Sequence, residues 1–300
     1  MHGITDLAGL IERHAPADGF HDTALPRVRL IRSGIVTTPV PTVYAPSLCL
    51  VAQGAKEAQL GERRFRYDAA NFLLGALDLP VTGTVTQASS DAPYLCLCLF
   101  LDLAALADLL AEHPLPAGAD ERPSLGLMLG GTTPSLVDAA CRLLSLLDTP
   151  EDAGPLAPLI ERELLWRLLR GPAGRMLCQM ARADGRGEQV HRAVRWLRSH
   201  FADPVSVEQL ADLAGMSPSA FHQHFKTVTG LSPLRYRVQL RLQEARRLMI
   251  AGGLDAASAG FEVGYGSPSQ FSRDYARAFG LPPGRDVERL RSAGGYSAAA

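Results

Sequence analysis

One five-residue phrase occurs twice in this chain at an offset of fifty positions, and it restricts the C-terminal third to a duplicated helical unit. Ser217-Pro218-Ser219-Ala220-Phe221 returns as Ser267-Pro268-Ser269-Gln270-Phe271. Phe225 returns as Tyr275, Gly230-Leu231 as Gly280-Leu281, and Pro233 as Pro283, in the same register. Chance can repeat one Ser-Pro-Ser in 300 residues; it does not easily keep four further landmarks aligned. Serine followed by proline is a helix start, because the serine hydroxyl caps a free N–H and proline has none to lose. Gly230 and Gly280 are the matching stops.

The surrounding pattern predicts helices throughout. Val190 to Phe201 is followed by Val207 to Ala214, capped by Ser206 and ended by Gly215. Pro218 to Thr229 comes next, then a long helix from Ser232-Pro233 to about Ile250, closed by Gly252-Gly253. The second copy runs Asp255 to Glu262, a turn at Gly264 to Gly266, and Pro268 to Phe279. Two helices joined by a tight glycine turn form a helix-turn-helix pattern. Phe221 and Phe225 lie four apart and must face inward, which turns Ser219, His222, Gln223 and Lys226 outward. In the second copy Phe271 and Tyr275 are the anchors, exposing Ser269, Gln270, Ser272 and Arg273. Short polar residues plus one cation suit base edges, since Gln pairs with adenine and Arg with guanine. The spacer helix, at ~1.5 Å per residue, spans ~27 Å and sets two such helices about one turn of DNA apart. Arg235, Arg237, Arg241, Arg246 and Arg247 lie along it, as phosphate contacts or as solvated and paired charges, for example with Glu244.

Net charge is −1, unevenly divided. From Gly187 onward 14 Lys and Arg stand against 10 Asp and Glu, while the rest holds 16 against 21. The positive end therefore coincides with the repeat.

Earlier in the chain, Ile4 to His14 is a short amphipathic helix. From Arg27 to Leu101 short alternating apolar runs are punctuated by Pro39, Pro41, Gly54, Gly61, Asp68, Asn71, Gly83 and Pro93, which predicts an antiparallel sandwich or barrel. Helical stripes follow at Leu103 to Glu112, Pro134 to Leu147 and Leu156 to Leu169, with Pro150, Pro155 and Pro158 read as separators of the last two. Their leucines would either cover the β domain or pair with a second copy of the chain.

Five cysteines without a CxxC argue against a disulfide framework or a zinc finger. The β region contains no histidine, and His222 and His224 cannot chelate together on one helix, so no metal site, cofactor or catalytic set is expected. Cys49, Cys96 and Cys98 are either small buried hydrophobes or sensors of oxidants and electrophiles, a role that needs accessible thiolates. The N-terminus lacks a signal-peptide pattern and no apolar run reaches a membrane span, so a soluble, cytoplasmic protein is expected.

The run Leu210-Ala211, Ala214-Gly215-Met216-Ser217, Phe221, Phe225-Lys226, Gly230-Leu231-Ser232-Pro233, Arg241-Leu242, Ala245 resembles the AraC/XylS-type DNA-binding domain. So does Val263-Gly264-Tyr265-Gly266-Ser267, Phe271-Ser272-Arg273, Gly280-Leu281-Pro282-Pro283. The resemblance implies a bacterial transcription regulator whose recognition helices, Pro218 to Thr229 and Pro268 to Phe279, enter adjacent major grooves. Two departures stand out. Ala259-Gly260 replaces the family's Ile-Ala, removing apolar volume and adding a glycine that costs ~1 kcal/mol, so a looser second unit is expected. Gly284-Arg285 replaces the usual Tyr-Arg.

Pro46 to Lys56, Leu95 to Leu103, and Leu156 to Leu168 with Ile160-Glu161-Arg162-Glu163 resemble the cupin-like N-terminal domain of one AraC subgroup. That resemblance implies effector binding and dimer formation. The expected fold is α+β: a cupin-like antiparallel β-barrel with flanking helices over 1–182, a linker at 183–188, a double helix-turn-helix domain over 189–291 and a disordered tail at 292–300. The expected partners are double-stranded DNA, an unidentified small-molecule effector, a second copy of the chain and RNA polymerase. The competing class is a cupin-type enzyme or carbohydrate binder with an accessory helical domain.

Overall fold

The computed structural model describes residues 1–114, 125–181 and 186–292. The expected linker core, Ala183-Asp184-Gly185, and the tail from Ala293 lie outside the described residues.

Ten strands form one curled antiparallel sheet, a half-barrel. They are β1 (Gly19–Asp22), β2 (Val28–Ser33), β3 (Val40–Tyr44), β4 (Ser47–Gln53), β5 (Ala55–Leu60), β6 (Arg63–Asp68), β7 (Asn71–Gly75), β8 (Leu79–Gln87), β9 (Tyr94–Phe100) and β10 (Leu127–Gly131). The order is β1-β2-β9-β4-β7-β6-β5-β8-β3, with β10 added along β7. β1 and β10 fall outside the stretch whose alternation predicts strands; both are short and take their place from a neighbour rather than from their own pattern.

Alternation gives the central strands two different faces. On β4 and β9, Leu48, Leu50, Leu95, Leu97 and Leu99 share one face, and Cys49, Val51, Tyr94, Cys96 and Cys98 share the other. Both faces are buried. Helix α1 (Ile4–His14) lies against β2, β4 and β9, α3 (Pro134–Ser145) lies on α1, and α4 (Pro150–Leu169) lies on α3. Helices α2 (Leu103–Glu112) and α5 (Gly174–Ala181) complete this layer. α4 begins at Pro150 and contains Pro155 and Pro158, so these prolines do not separate helices. The carbonyls their rings leave unbonded belong to Glu151 and Gly154, which are exposed and open to water. The Glu161 of the charged run on α4 is buried and accepts two bonds from Arg27, the residue just before β2, at 2.8 and 2.6 Å, which fastens this helix to the edge of the strand.

The C-terminal helices are α6 (Arg186–Ser199), α7 (Val207–Ala214), α8 (Pro218–Thr229), α9 (Pro233–Ala251), α10 (Ala256–Glu262), α11 (Pro268–Phe279) and α12 (Pro283–Ser292). Ser206 and Gln209 form a reciprocal cap on α7, Ser217 caps α8, and Gly215, Gly230 and Gly280 end their helices in left-handed backbone. Phe221 and Phe225 are fully buried with Tyr236, and Phe271 and Tyr275 are fully buried with each other.

Gly260 does not loosen the second unit in the way the sequence suggests. A Cβ at this position would come within 3.0 Å of the Phe271 ring, so the glycine lets α11 pack closely against α10 here. Four of the five arginines of α9 also find definite partners, while Arg235 is exposed. Arg237 and Arg241 donate to the carbonyls of Phe201, Ala202 and Asp203, in the turn that follows α6. Arg247 pairs with Glu244. Arg246 is 1 % exposed and forms a two-bond ion pair with the fully buried Asp286 of α12, at 2.8 and 3.2 Å. Tyr275 O–H and Arg289 also donate to Asp286, at 2.9 and 2.8 Å, so one carboxylate ties α9, α11 and α12 together.

Burial pushes the Asp286 carboxyl upward, and Arg289, Arg246 and Tyr275 outweigh it, holding the acid below its usual range. A depressed carboxyl contributes stability that is complete above the unfolded value of ~3.9 and is lost as pH falls through the folded one. Asp286→Asn is expected to destabilise the second unit by about 3–5 kcal/mol, because Arg246 is left buried without its counter-charge. Denaturant melts should show this loss in full at pH 7, and the difference from wild type should shrink only as pH falls below the ordinary carboxyl range and through the lowered folded value.

Candidate nucleic-acid interface and effector face

The sequence places its candidate DNA contacts on the two helices that follow the glycine turns. Ser219, His222, Gln223 and Lys226 are all exposed on α8, opposite Phe221 and Phe225. Ser269, Gln270 and Arg273 are exposed on α11, with Ser272 half-buried. The geometry therefore brings each set to one open helix face. Arg273 makes no ion pair among the described residues. Arg277, one turn further on, is 81 % exposed and pairs with Asp274 at only 3.5 Å. It extends the basic edge of α11; the signal was its spacing, four positions after Arg273.

The half-barrel and the first helix-turn-helix unit share one apolar core, which runs from Leu7 through the sheet to Phe221, Phe225, Tyr236 and Leu240. The second unit has a separate core of Leu242, Ala245, Met249, Ala259, Val263, Phe271 and Tyr275. Polar bonds reinforce the junction. Gly126 N–H donates to the Val228 carbonyl at 2.7 Å, Tyr236 O–H donates to the Asp78 carbonyl at 2.5 Å, and Arg198 pairs with the Asp78 side chain. The second unit touches the half-barrel through Gln243, which donates to the Thr42 carbonyl of β3 at 3.1 Å, and Arg289, which donates to Thr38 at 3.2 Å.

The inner face of the half-barrel carries a polar cluster. Lys56 and Tyr67 are cross-strand neighbours on β5 and β6. The Lys56 ammonium lies 5.6 Å from the Tyr44 ring centre and 6.0 Å from that of Tyr94. β5 and β9 are four places apart in the sheet, so Lys56 and Tyr94 meet only across the concave side. Burial works against the Lys56 charge, but Tyr44, Cys49 and Cys96 outweigh it and shift the ammonium upward. Burial likewise drives the Tyr67 and Tyr94 phenols well above their usual range, so both stay protonated. Sequence reasoning missed Lys56, although a signal existed. Neighbours on a strand point to opposite faces, so one of Lys56 and Glu57 had to face inward. Glu57 is the residue that reaches an outer partner, Arg64.

Cys49, Cys96 and Cys98 belong to this face and are buried. The Cys49 thiol is pushed up by its contact with Cys96 and by burial, and Cys98 by its contact with Cys49 and by burial. Such thiols are neither accessible nor ionised, so oxidant sensing through them has no support in this geometry. Among the described residues no three His, Cys, Asp or Glu side chains converge on a metal position, and no helix is long and apolar enough to cross a membrane.

Residues 24–176 match the family described as AraC-type transcriptional regulator N-terminus, and residues 210–289 match a helix-turn-helix domain. The HTH-type transcriptional activator RhaS of Escherichia fergusonii is 30% identical over 152 residues, 51% of this chain and 54% of that protein. RhaS of Salmonella schwarzengrund is 28% identical over 159 residues, 53% of this chain and 56% of that protein. The chain thus spans about half the length of the curated relatives it matches. Over nearly its whole length the fold is similar to ToxT of Vibrio cholerae O395, solved with (E)-4-(8-methylnaphthalen-1-yl)but-3-enoic acid. There the TM-score is 0.59 at 10% identity, covering 88% of this chain and 98% of that one.

In native protein, iodoacetamide is expected to modify the half-buried Cys178 first, leaving Cys49, Cys96 and Cys98 unmodified until denaturant is added. Mass mapping of the alkylated peptides checks this, and rapid native modification of Cys98 or Cys49 would reopen the redox reading.

Proposed function

The chain belongs to the AraC/XylS family of transcriptional regulators, and from that premise we propose how it reads DNA and what controls it. Its sequence-specific DNA binding is carried by two recognition helices, α8 and α11, which enter successive major grooves. Ser219, His222, Gln223 and Lys226 face the first, and Ser269, Gln270, Ser272 and Arg273 the second. A small-molecule effector bound on the concave face of the half-barrel controls this reading. The observation that carries the proposal is the shared core: the half-barrel and the first DNA-reading unit belong to one apolar cluster and are bonded through Gly126–Val228 and Tyr236–Asp78. A second copy of the chain pairs through α4, where Leu156 and Leu159 remain 41 % and 63 % exposed although α3 buries its leucines. The bound protein then recruits RNA polymerase.

Footprinting of the full chain on sites selected from random DNA tests the reading. Two protected patches about ten base pairs apart per copy are expected, one for each recognition helix. Absence of sequence-specific protection overturns it. Within such a site, Arg273→Ala is expected to weaken binding by about 1–3 kcal/mol and relax the preference at one base position. Lys226→Ala should weaken all sequences alike and lower the salt slope by about one, as loss of a phosphate contact does. Equal loss on every sequence for Arg273→Ala would make that residue a phosphate contact instead.

A further inference from the structure

Lysine is almost absent from this chain. Of its 30 Lys and Arg residues, only Lys56 and Lys226 are lysines. Lys226 is exposed on a recognition helix, whereas Lys56 lies inside the half-barrel. The chain uses arginine for nearly every ion pair on its surface and keeps a compact, three-donor ammonium at this interior position.

The surroundings of Lys56 are rich in donors and poor in negative charge. Among the described residues no carboxylate pairs with it; its neighbours are the rings of Tyr44 and Tyr94 and the thiols of Cys49 and Cys96. Removing an ammonium from water without a counter-charge is unfavourable, and contact with aromatic faces offsets only part of that cost. Among the described residues the fully buried Tyr94 hydroxyl has no hydrogen-bond partner, and the Tyr44 and Tyr67 hydroxyls meet only at 3.5 Å. Orphaned buried polar groups of this kind call for an explanation. A sugar would need acceptors as well as donors, and this ring offers no carboxylate. A carboxylate ligand would supply both missing elements, the counter-charge for Lys56 and the acceptor for the tyrosines. Val51, Val85 and the ring of Tyr67, on the same concave face, offer an apolar seat for the rest of such a molecule.

We propose that the concave face of the half-barrel is a receptor for a small organic monocarboxylate, anchored by the Lys56 ammonium and the Tyr44 and Tyr94 hydroxyls. The proposal rests on the reading that the half-barrel holds the effector and adds the chemical class of that effector. Gly83 belongs to the same site. A Cβ there would lie 2.9 Å from the Tyr44 hydroxyl and 3.0 Å from the Lys56 Cε, so its absence lets the two donors come together.

The test uses the full chain with benzoate and octanoate as probes and benzyl alcohol and octanol as their neutral counterparts, read by calorimetric titration and thermal melting. At least one carboxylate is expected to bind saturably and raise the melting temperature, with no such response to its alcohol. Lys56→Met should reduce carboxylate affinity at least tenfold while the ligand-free protein still melts in one cooperative transition. Tyr94→Phe should also reduce affinity without lowering the ligand-free melting temperature. Unchanged carboxylate binding by both variants overturns the proposal. So does an equal response to acids and alcohols, which would keep the half-barrel as the effector site while removing its preference for anions. No saturable response to any of the four probes overturns the anion proposal and also withdraws support from the half-barrel as a ligand site.

Discussion

Helix α9 has to be buried twice, on two different sides, and the molecule is arranged around that requirement. Tyr236 and Leu240 enter the core shared with the sheet, while Leu242, Ala245 and Met249 enter the core of the second unit. A helix with apolar stripes facing two ways has no single polar face on which to leave its charges. Most of its arginines therefore end on specific partners. Arg237 and Arg241 fold onto carbonyls of the turn that follows α6, and Arg246 goes inward to Asp286. These interactions do more than neutralise charge. The first pair fixes the entry of the chain into the DNA-reading domain, and the Arg246–Asp286 pair fixes α11 and α12 against the spacer. The rigidity expected of a spacer between two recognition helices thus comes from side chains directed to both ends of the helix.

Helices α8 and α11 were legible because their determinants are local. Ser-Pro starts, glycine stops and aromatics four apart all act within one helical turn or two, and α8 and α11 run over the residues those signals predict. The half-barrel was legible as alternation, but β10 joins β7 from more than fifty residues away and leaves no local mark. The destination of Arg246 was hidden for a similar reason. Arg246 and Arg247 are adjacent and chemically identical, yet one is buried against a residue forty positions later and the other pairs within its own turn. Only the rotation of α9 between two cores separates them. Ala259-Gly260 shows the opposite error: a loss of volume in sequence became a gain of contact in space, because the Phe271 ring fills it.

The two helix-turn-helix units are attached to the half-barrel in different ways, and this asymmetry determines what the proposed ligand there could do. The first unit is continuous with the core of the sheet, so moving it would expose buried apolar surface. The second unit reaches the half-barrel through the Gln243–Thr42 and Arg289–Thr38 bonds. Thr42 lies on β3, which pairs with β8, and β8 pairs with the strand that carries Lys56. A ligand at Lys56 is therefore two strand pairings away from the surface on which α9 rests. It can shift the DNA-reading arrangement only by its difference in affinity between states in which that contact is kept or released. A tenfold shift needs about 1.4 kcal/mol, and each intramolecular hydrogen bond contributes about 1 kcal/mol net. Two polar bonds are thus of the right size to hold the second unit in place, and weak enough for a ligand to release. The buried core beneath the first unit and the Arg246–Asp286 pair are too strong for that, so a ligand is expected to act on the contact of α9 and α12 with the half-barrel while α11 stays fixed to the spacer.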